Sequence, residues 1–260
     1  MTTAILYLWA VLLGLALGSF VNVLVLRDDD RSSIITGRSR CPACRHPLAW
    51  YDLIPLLSFA VLGGRCRYCK KPISWQYPLV EAVAAALSVF SFWYGVIDRG
   101  SWLLAAGLAA SLMLLLTVSA IDISRMEVPV EYCVAGGVIG GAVLSLTGVH
   151  SWVSMLEGLA AGAGIILAVM LGWRLFFHQD GMGEGDIWVA GAIGAILGYP
   201  LVLVGLLTAV LLGAIIGVAA LGLSKKSLQT AIPFGPFLAA GLVLSLWIGN
   251  SFLQWYGWAS

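Results

Sequence analysis

Five stretches of this chain, residues 1–26, 100–121, 132–156, 187–224 and 227–260, contain no Asp, Glu, Lys or Arg. Crossing a bilayer core of about 30 Å takes roughly 20 apolar helical residues, because only helices and closed barrels satisfy their own backbone in lipid. The 187–224 run holds two such helices, broken at Gly198-Tyr199-Pro200, and further apolar stretches begin near Glu81 and Glu157. The pattern predicts about eight spans: 4–26, 77–97, 101–121, 129–147, 152–176, 186–198, 200–223 and 232–250. The sixth is short, so it is expected to be tilted little, broken, or buried among its neighbours. Strand-like alternation is absent, which argues against a barrel. The chain is 60% hydrophobic and 10% charged, against about 25% charged in soluble domains. That composition excludes an ordinary soluble enzyme, a disordered tail and a nucleic-acid binder. The expected fold is an all-α polytopic membrane protein. Its start has no charged n-region and runs on to Arg27, so it reads as a retained first helix and not as a cleaved leader.

Basic residues set orientation. Arg27, Arg31, Arg38, Arg40, Arg45, Arg65, Arg67, Lys70 and Lys71 fall in the first loop, and Arg125, Arg174, Lys225 and Lys226 reach the same side. Only Arg99 of the fourteen basic residues lands opposite. The loop side is therefore expected to be cytoplasmic, with both termini outside. Three regions follow: 1–26 as the first transmembrane helix, 27–76 as a cytoplasmic loop, and 77–260 as a helical bundle.

That loop carries Cys41-Pro-Ala-Cys44 and Cys66-Arg-Tyr-Cys69. Two C-x-x-C pairs offer the four thiolates that structural Zn²⁺ prefers, and a reducing cytoplasm disfavours the alternative of two disulfides. Four protein ligands leave no open position, so the metal is expected to fold the loop and not to do chemistry. The insert Leu48–Gly63 is semi-apolar and is expected to pack on the membrane face or over the bundle. Cys133 reads as a small buried apolar residue, and His46, His150 and His178 lack partners at metal spacing.

Ionisable groups at apolar spans are costly and commonly functional. Asp122 follows the run ending Ser119-Ala120-Ile121, and Asp186 follows Gly181-Met182-Gly183-Glu184-Gly185. The topology puts both at cytoplasmic helix ends, where they can meet in one shallow site. Gly183 and Gly185 remove bulk, letting a substrate backbone approach. Two adjacent carboxyls share a proton, one serving as base on water and the other as acid, as in aspartic proteases. Structural alternatives stay open: Asp122 as a border carboxylate paired with Arg125, Asp186 as a helix N-cap, and Glu184 as a water-facing acid. Glu81 is the unexplained buried charge, with hydrogen bonding inside the bundle as its preferred role.

These motifs resemble the type IV prepilin peptidase family, membrane aspartyl proteases of the GxGD type. The resemblance rests on Gly18-Ser19-Phe20-Val21-Asn22-Val23 with Arg27, the cysteine pairs, Trp75-Gln76-Tyr77-Pro78-Leu79-Val80-Glu81, Asp122 ahead of Pro129, Gly183-Glu184-Gly185-Asp186, and Ile232-Pro233-Phe234-Gly235-Pro236-Phe237. Trp188 stands where the family commonly has Lys, and in Pro129-Val130-Glu131 the residue directly after the Pro is Val where the family often has Asp. The resemblance implies catalytic Asp122 and Asp186 and a structural Zn²⁺ on Cys41, Cys44, Cys66 and Cys69. It also implies S-adenosylmethionine as methyl donor, although no nucleotide fingerprint is visible. The implied location is the bacterial inner membrane, in contact with lipid. The implied partners are prepilins or pseudopilins with a basic leader and an apolar helix; Asp28, Asp29 and Asp30 are candidates to attract that leader, with a plain cap on a solvated loop as the favoured alternative. Two competing classes are a proton-coupled transporter and a noncatalytic scaffold. The first places its carboxylates at the midplane, and the second leaves the glycines before Asp186 unexplained.

Overall fold

The computed structural model describes residues 2–27, 37–178, 183–223, 233–255 and 257–258. Asp28, Asp29, Asp30, Arg31, Gly181, Met182, Lys225, Lys226 and Ile232 lie outside the described residues. The helices are α1 (Thr2–Leu26), α2 (Leu57–Val61), α3 (Gln76–Phe92), α4 (Trp102–Arg125), α5 (Val130–Leu146), α6 (Trp152–Phe177), α7 (Gly185–Leu197), α8 (Leu201–Leu223), α9 (Gly235–Leu244) and α10 (Asn250–Trp255). A π-helical turn, Trp93–Ile97, continues α3, and another, Ser245–Gly249, joins α9 to α10. No strand occurs among the described residues, only two isolated bridges. Six segments are long and apolar enough to cross a membrane, while α5 and α7 are shorter apolar helices. The chain is thus an all-helical, multi-pass membrane protein, with helices where the charge-free runs predict them.

The chain divides into two compact units, residues 1–109 and 110–260. In the first, α1 and α3 pack backbone to backbone. A Cβ on Gly14 would lie 2.6 Å from Ala85 Cα, and one on Gly18 would lie 2.7 Å from Glu81 Cα. Lipid tails are as apolar as Leu, so close van der Waals contact through small residues, and not water exclusion, joins such helices. Asn22, one turn on from Gly18, donates its Nδ2 to the Gly18 and Tyr77 carbonyls at 3.3 and 3.2 Å. The opposite face of α1, with Leu8, Trp9, Leu12 and Leu13, is left exposed, as a lipid-facing surface requires.

In the second unit α7 is central. Its 13 residues make a helix of about 20 Å at 1.5 Å per residue, too short to cross alone. It is stabilised by enclosure: every residue from Val189 to Leu197 is buried. Small residues of α5 and α6 bring their backbones onto it. A Cβ on Gly137 would sit 2.8 Å from Ala192 Cα, and Gly158 and Gly162 lie against the Gly194 and Ala190 carbonyls. Beyond the end of α7, Ser154 donates its hydroxyl to the Tyr199 carbonyl at 2.8 Å, and His150 Nε2 lies 3.1 Å from the Ile196 carbonyl. The His150 contact meets a carbonyl that a helix terminus leaves without an intrahelical partner, and the Ser154 bond ties down the turn that follows. His150 is therefore a capping residue.

Candidate active site and four-cysteine centre

Asp122 occupies the last turn of α4. The helix closes with the Met126 N–H bonding the Asp122 carbonyl at 2.9 Å and Met126 taking a left-handed φ of 57°. The Asp122 side chain is buried. Its Oδ2 accepts the backbone N–H of Gly235 at 3.0 Å, across 113 residues of sequence. Gly235 opens α9, where the first N–H groups have no partner inside the helix, and Pro236 behind it has no N–H to give. The carboxylate of α4 thus caps the N-terminus of α9, a position that favours negative charge.

Asp186 is the second residue of α7 and is also buried. It is not the N-cap. Glu184 holds that position without a side-chain cap bond and is exposed. Gly185 shows why the approach to Asp186 is glycine-rich: a Cβ there would lie 2.5 Å from Val128 Cβ. Val128 follows the end of α4, so this contact draws the Asp122 end of α4 and the Asp186 end of α7 together. The Asp122 charge acts on Asp186, making the two carboxyls electrostatic neighbours. Among the described residues, only the Gly185 backbone nitrogen, at 4.0 Å, comes near a Cβ placed on Gly183. Trp188, one turn into α7, is half exposed.

The four cysteines form a cluster in the first unit. Their Sγ atoms all lie within 4.8 Å of one another, with Cys41 and Cys69 at 3.9 Å. Tetrahedral bonds of about 2.3 Å to Zn²⁺ would set the sulfurs about 3.8 Å apart, so the donor set fits a metal. Each pair sits in the same turn. The Cys41 N–H bonds the His46 carbonyl and the Arg45 N–H returns to the Cys41 carbonyl, at 3.0 and 2.8 Å. The Cys66 N–H bonds the Lys71 carbonyl and the Lys70 N–H returns to the Cys66 carbonyl, at 2.9 and 3.0 Å. Bridges Arg40–Pro47 and Arg65–Pro72 close the two turns, and Arg45 and Lys70 take matching left-handed φ of 58° and 59°. Sequence reasoning missed this duplication. The signal was present as Arg40-Cys-x-x-Cys-Arg-x-Pro-Leu-x-Trp50 against Arg65-Cys-x-x-Cys-Lys-x-Pro-Ile-x-Trp75. Backbone N–H groups of Cys69 and Tyr68 hold the Cys66 thiol down at about 6, which favours the thiolate that binds metal.

The insert between the turns is tied down by two carboxylates. Asp52 accepts from Arg67 Nε at 2.8 Å, and Arg67 also lies over the Tyr51 ring. Glu81, on α3, accepts the Leu56 N–H at 2.8 Å, a bond that anchors the insert to α3. His46 stacks on Tyr68 with ring centroids 3.6 Å apart. Cys133 is fully buried, as its apolar reading predicts.

Residues 12–95 match the family model described as the bacterial peptidase A24 N-terminal domain, and residues 109–218 match that of the type IV leader peptidase family. A prepilin leader peptidase/N-methyltransferase of Aeromonas salmonicida is 34% identical, covering 94% of this chain and 91% of the relative. The protein of the same name from Bacillus subtilis is 34% identical over 94% of each chain. That of Burkholderia pseudomallei is 32% identical over 94% of this chain and 86% of its own. No solved structure matches the chain.

Proposed function

The chain belongs to the type IV leader peptidase family, and on that premise we propose that Asp122 and Asp186 are the catalytic dyad of an endopeptidase that removes the leader of prepilins or pseudopilins. The observation that carries this reading is the pairing of two buried carboxyls at the ends of α4 and α7. One carboxylate takes a proton from a water whose oxygen attacks the scissile carbonyl carbon. The other carboxyl gives its proton to the carbonyl oxygen, forming a tetrahedral diol. Collapse of the diol breaks the C–N bond as a proton passes to the leaving nitrogen, and the pair is left sharing one proton. The Gly235 N–H fixes the rotamer of Asp122 throughout, and the missing side chain at Gly183 supports the approach of an extended substrate backbone.

The basic residues of the first loop favour a cytoplasmic face for this chemistry, in the bacterial inner membrane. The substrate then carries a basic leader on the cytoplasmic side and an apolar helix of about 20 residues in the bilayer. Cys41, Cys44, Cys66 and Cys69 would hold a Zn²⁺ that folds the loop, since four thiolates close the coordination shell. The chain is an enzyme of a family whose relatives pair peptidase with N-methyltransferase activity. S-adenosylmethionine supplies the activated methyl group when bound.

The test is to incubate the purified full chain with a prepilin-like substrate and S-adenosylmethionine, and to weigh the product by mass spectrometry. The expected product lacks the leader and carries one added methyl at its new N-terminus. An intact substrate, with the protein folded and metal-loaded, would overturn the enzymatic reading in favour of a transporter or scaffold.

A further inference from the structure

The four-cysteine module carries an apolar surface that the described residues of the first unit leave exposed. In α2, Leu57 and Val61 lie one turn apart and are 56% and 72% exposed, and Trp75, just ahead of α3, is 75% exposed. Between α2 and the second cysteine turn runs a groove of about 430 Å³, walled by Phe59, Gly63, Ile73 and Trp75, with Arg65 as its one charged residue. Phe59 packs on Trp75 with ring centroids 5.0 Å apart. The Glu81 bond fixes the depth of this surface. With its π-helical continuation, α3 runs from Gln76 to Ile97, 22 residues or about 33 Å, which a bilayer core of about 30 Å takes up almost entirely. Glu81 lies five residues in, about 7.5 Å along the axis, and its side chain tilts back toward the start of the helix. Its carboxylate accepts the Leu56 N–H at 2.8 Å, and Leu56 is the residue from which α2 starts. The bond thereby holds α2 at the boundary of headgroups and acyl chains, where Trp is favoured and interfacial helices bury their apolar faces.

Charge selects the occupant. Residues 37–76 hold seven Lys or Arg and one acid, Asp52, and Asp52 is engaged by Arg67. Four thiolates around a Zn²⁺ subtract two charges and still leave the module positive. That field repels a basic leader and attracts an anionic lipid surface. We propose that the groove is a binding site for an anionic phospholipid of the surrounding bilayer, with its phosphate on the Arg65 guanidinium and one acyl chain along Phe59, Ile73 and Trp75. A guanidinium pairs with phosphate oxygens through two parallel N–H bonds. The groove also falls within the range of small-molecule sites, about 300–1,000 Å³. The bound lipid seats the cysteine module against the bilayer, and the proposal holds whatever reaction the two carboxyls perform.

The test uses the full-length protein in phosphatidylcholine nanodiscs doped with a phosphatidylglycerol that carries a photoactivatable acyl chain, the cross-linked peptides being mapped by mass spectrometry. Label within residues 57–75 is expected. Unlabelled phosphatidylglycerol should displace it, whereas phosphatidylcholine, glycerol phosphate and inorganic phosphate should not. Arg65→Gln should cut that label about tenfold or more, the loss of a charge-assisted hydrogen bond, while label on the exposed face of α6 and bound zinc stay at parental levels. The Arg65–Pro72 bridge is a backbone contact, so the turn should survive the change. Equal labelling by phosphatidylcholine and phosphatidylglycerol analogues, or parental labelling of Arg65→Gln, would overturn the site. Displacement by inorganic phosphate would reduce it to an anion site without a lipid chain and refute the proposal.

Discussion

Replacing Gly235 by Ala is the sharpest probe of how Asp122 is held. The added Cβ would stand 2.8 Å from Asp122 Oδ2 and 3.6 Å from its Cγ. Ordinary contact begins at 3.4 Å, so the carboxyl must retreat by roughly 0.6 Å, because the dispersion well turns steeply repulsive at shorter range. The retreat strains or breaks the bond from the Gly235 N–H, a charge-assisted interaction of about 1.5–3 kcal/mol, and it misplaces one member of a two-carboxyl site. Misplacement of a reacting group by about 1 Å costs on the order of 10²-fold in rate. The fold is expected to survive, since Gly235 has no left-handed φ that an Ala would have to adopt. Leader cleavage, followed by gel shift in detergent at saturating substrate, is therefore predicted to slow about 10²-fold, with parental zinc content and helicity. Gly172→Ala is the control: no atom of the described residues lies within 4 Å of its Cβ, and cleavage should be unchanged. If Gly235→Ala cleaves at the parental rate, the hydrogen bond and the crowding argument are both refuted.

Gly185→Ala should also impair cleavage, because its Cβ collides with Val128. Adding Val128→Ala should restore a large part of the loss, as a pair in contact is non-additive, and a double variant no better than the single one would disprove the contact. For the metal centre, the folded, freshly reduced protein should hold about one Zn²⁺ by elemental analysis. Cys66→Ser should lower that content and loosen the turn so that trypsin cuts faster after Arg67 and Lys70, whereas full zinc retention would contradict a four-thiolate site.

The helices were legible because lipid imposes a constraint that charge alone reports: charge-free runs bound α1, α4 and, taken together, α7 and α8 to within a few residues. The cysteine cluster was legible because C-x-x-C spacing encodes its own turn. The short sixth span was readable as an anomaly, with burial among its neighbours as one of three readings, but the glycines of α5 and α6 that enclose it were not, since those contacts join distant segments. The same limit hid the partner of Asp122. A backbone N–H from Gly235 has no side-chain signature, and 113 residues separate donor from acceptor. Gly185 was singled out as room for a substrate backbone, whereas the side chain that demands its smallness is Val128, which carries no polar signal at all. Glu81 stood out as a charge in an apolar run, and only the structure showed that it binds the Leu56 N–H and lines a cavity.

The central claim is that two carboxyls, on α4 and α7, do the hydrolysis. Its most direct test is the single-turnover rate of leader release by Asp122→Asn and Asp186→Asn beside the parent. An Asn at 122 still offers an oxygen to the Gly235 N–H, so the cap and the fold are preserved while the acid–base function is removed. The account predicts that each variant loses cleavage by about 10³-fold or more, general acid–base steps alone being worth about 10²–10⁴, with zinc and substrate binding retained. Parental leader release by either variant would contradict it.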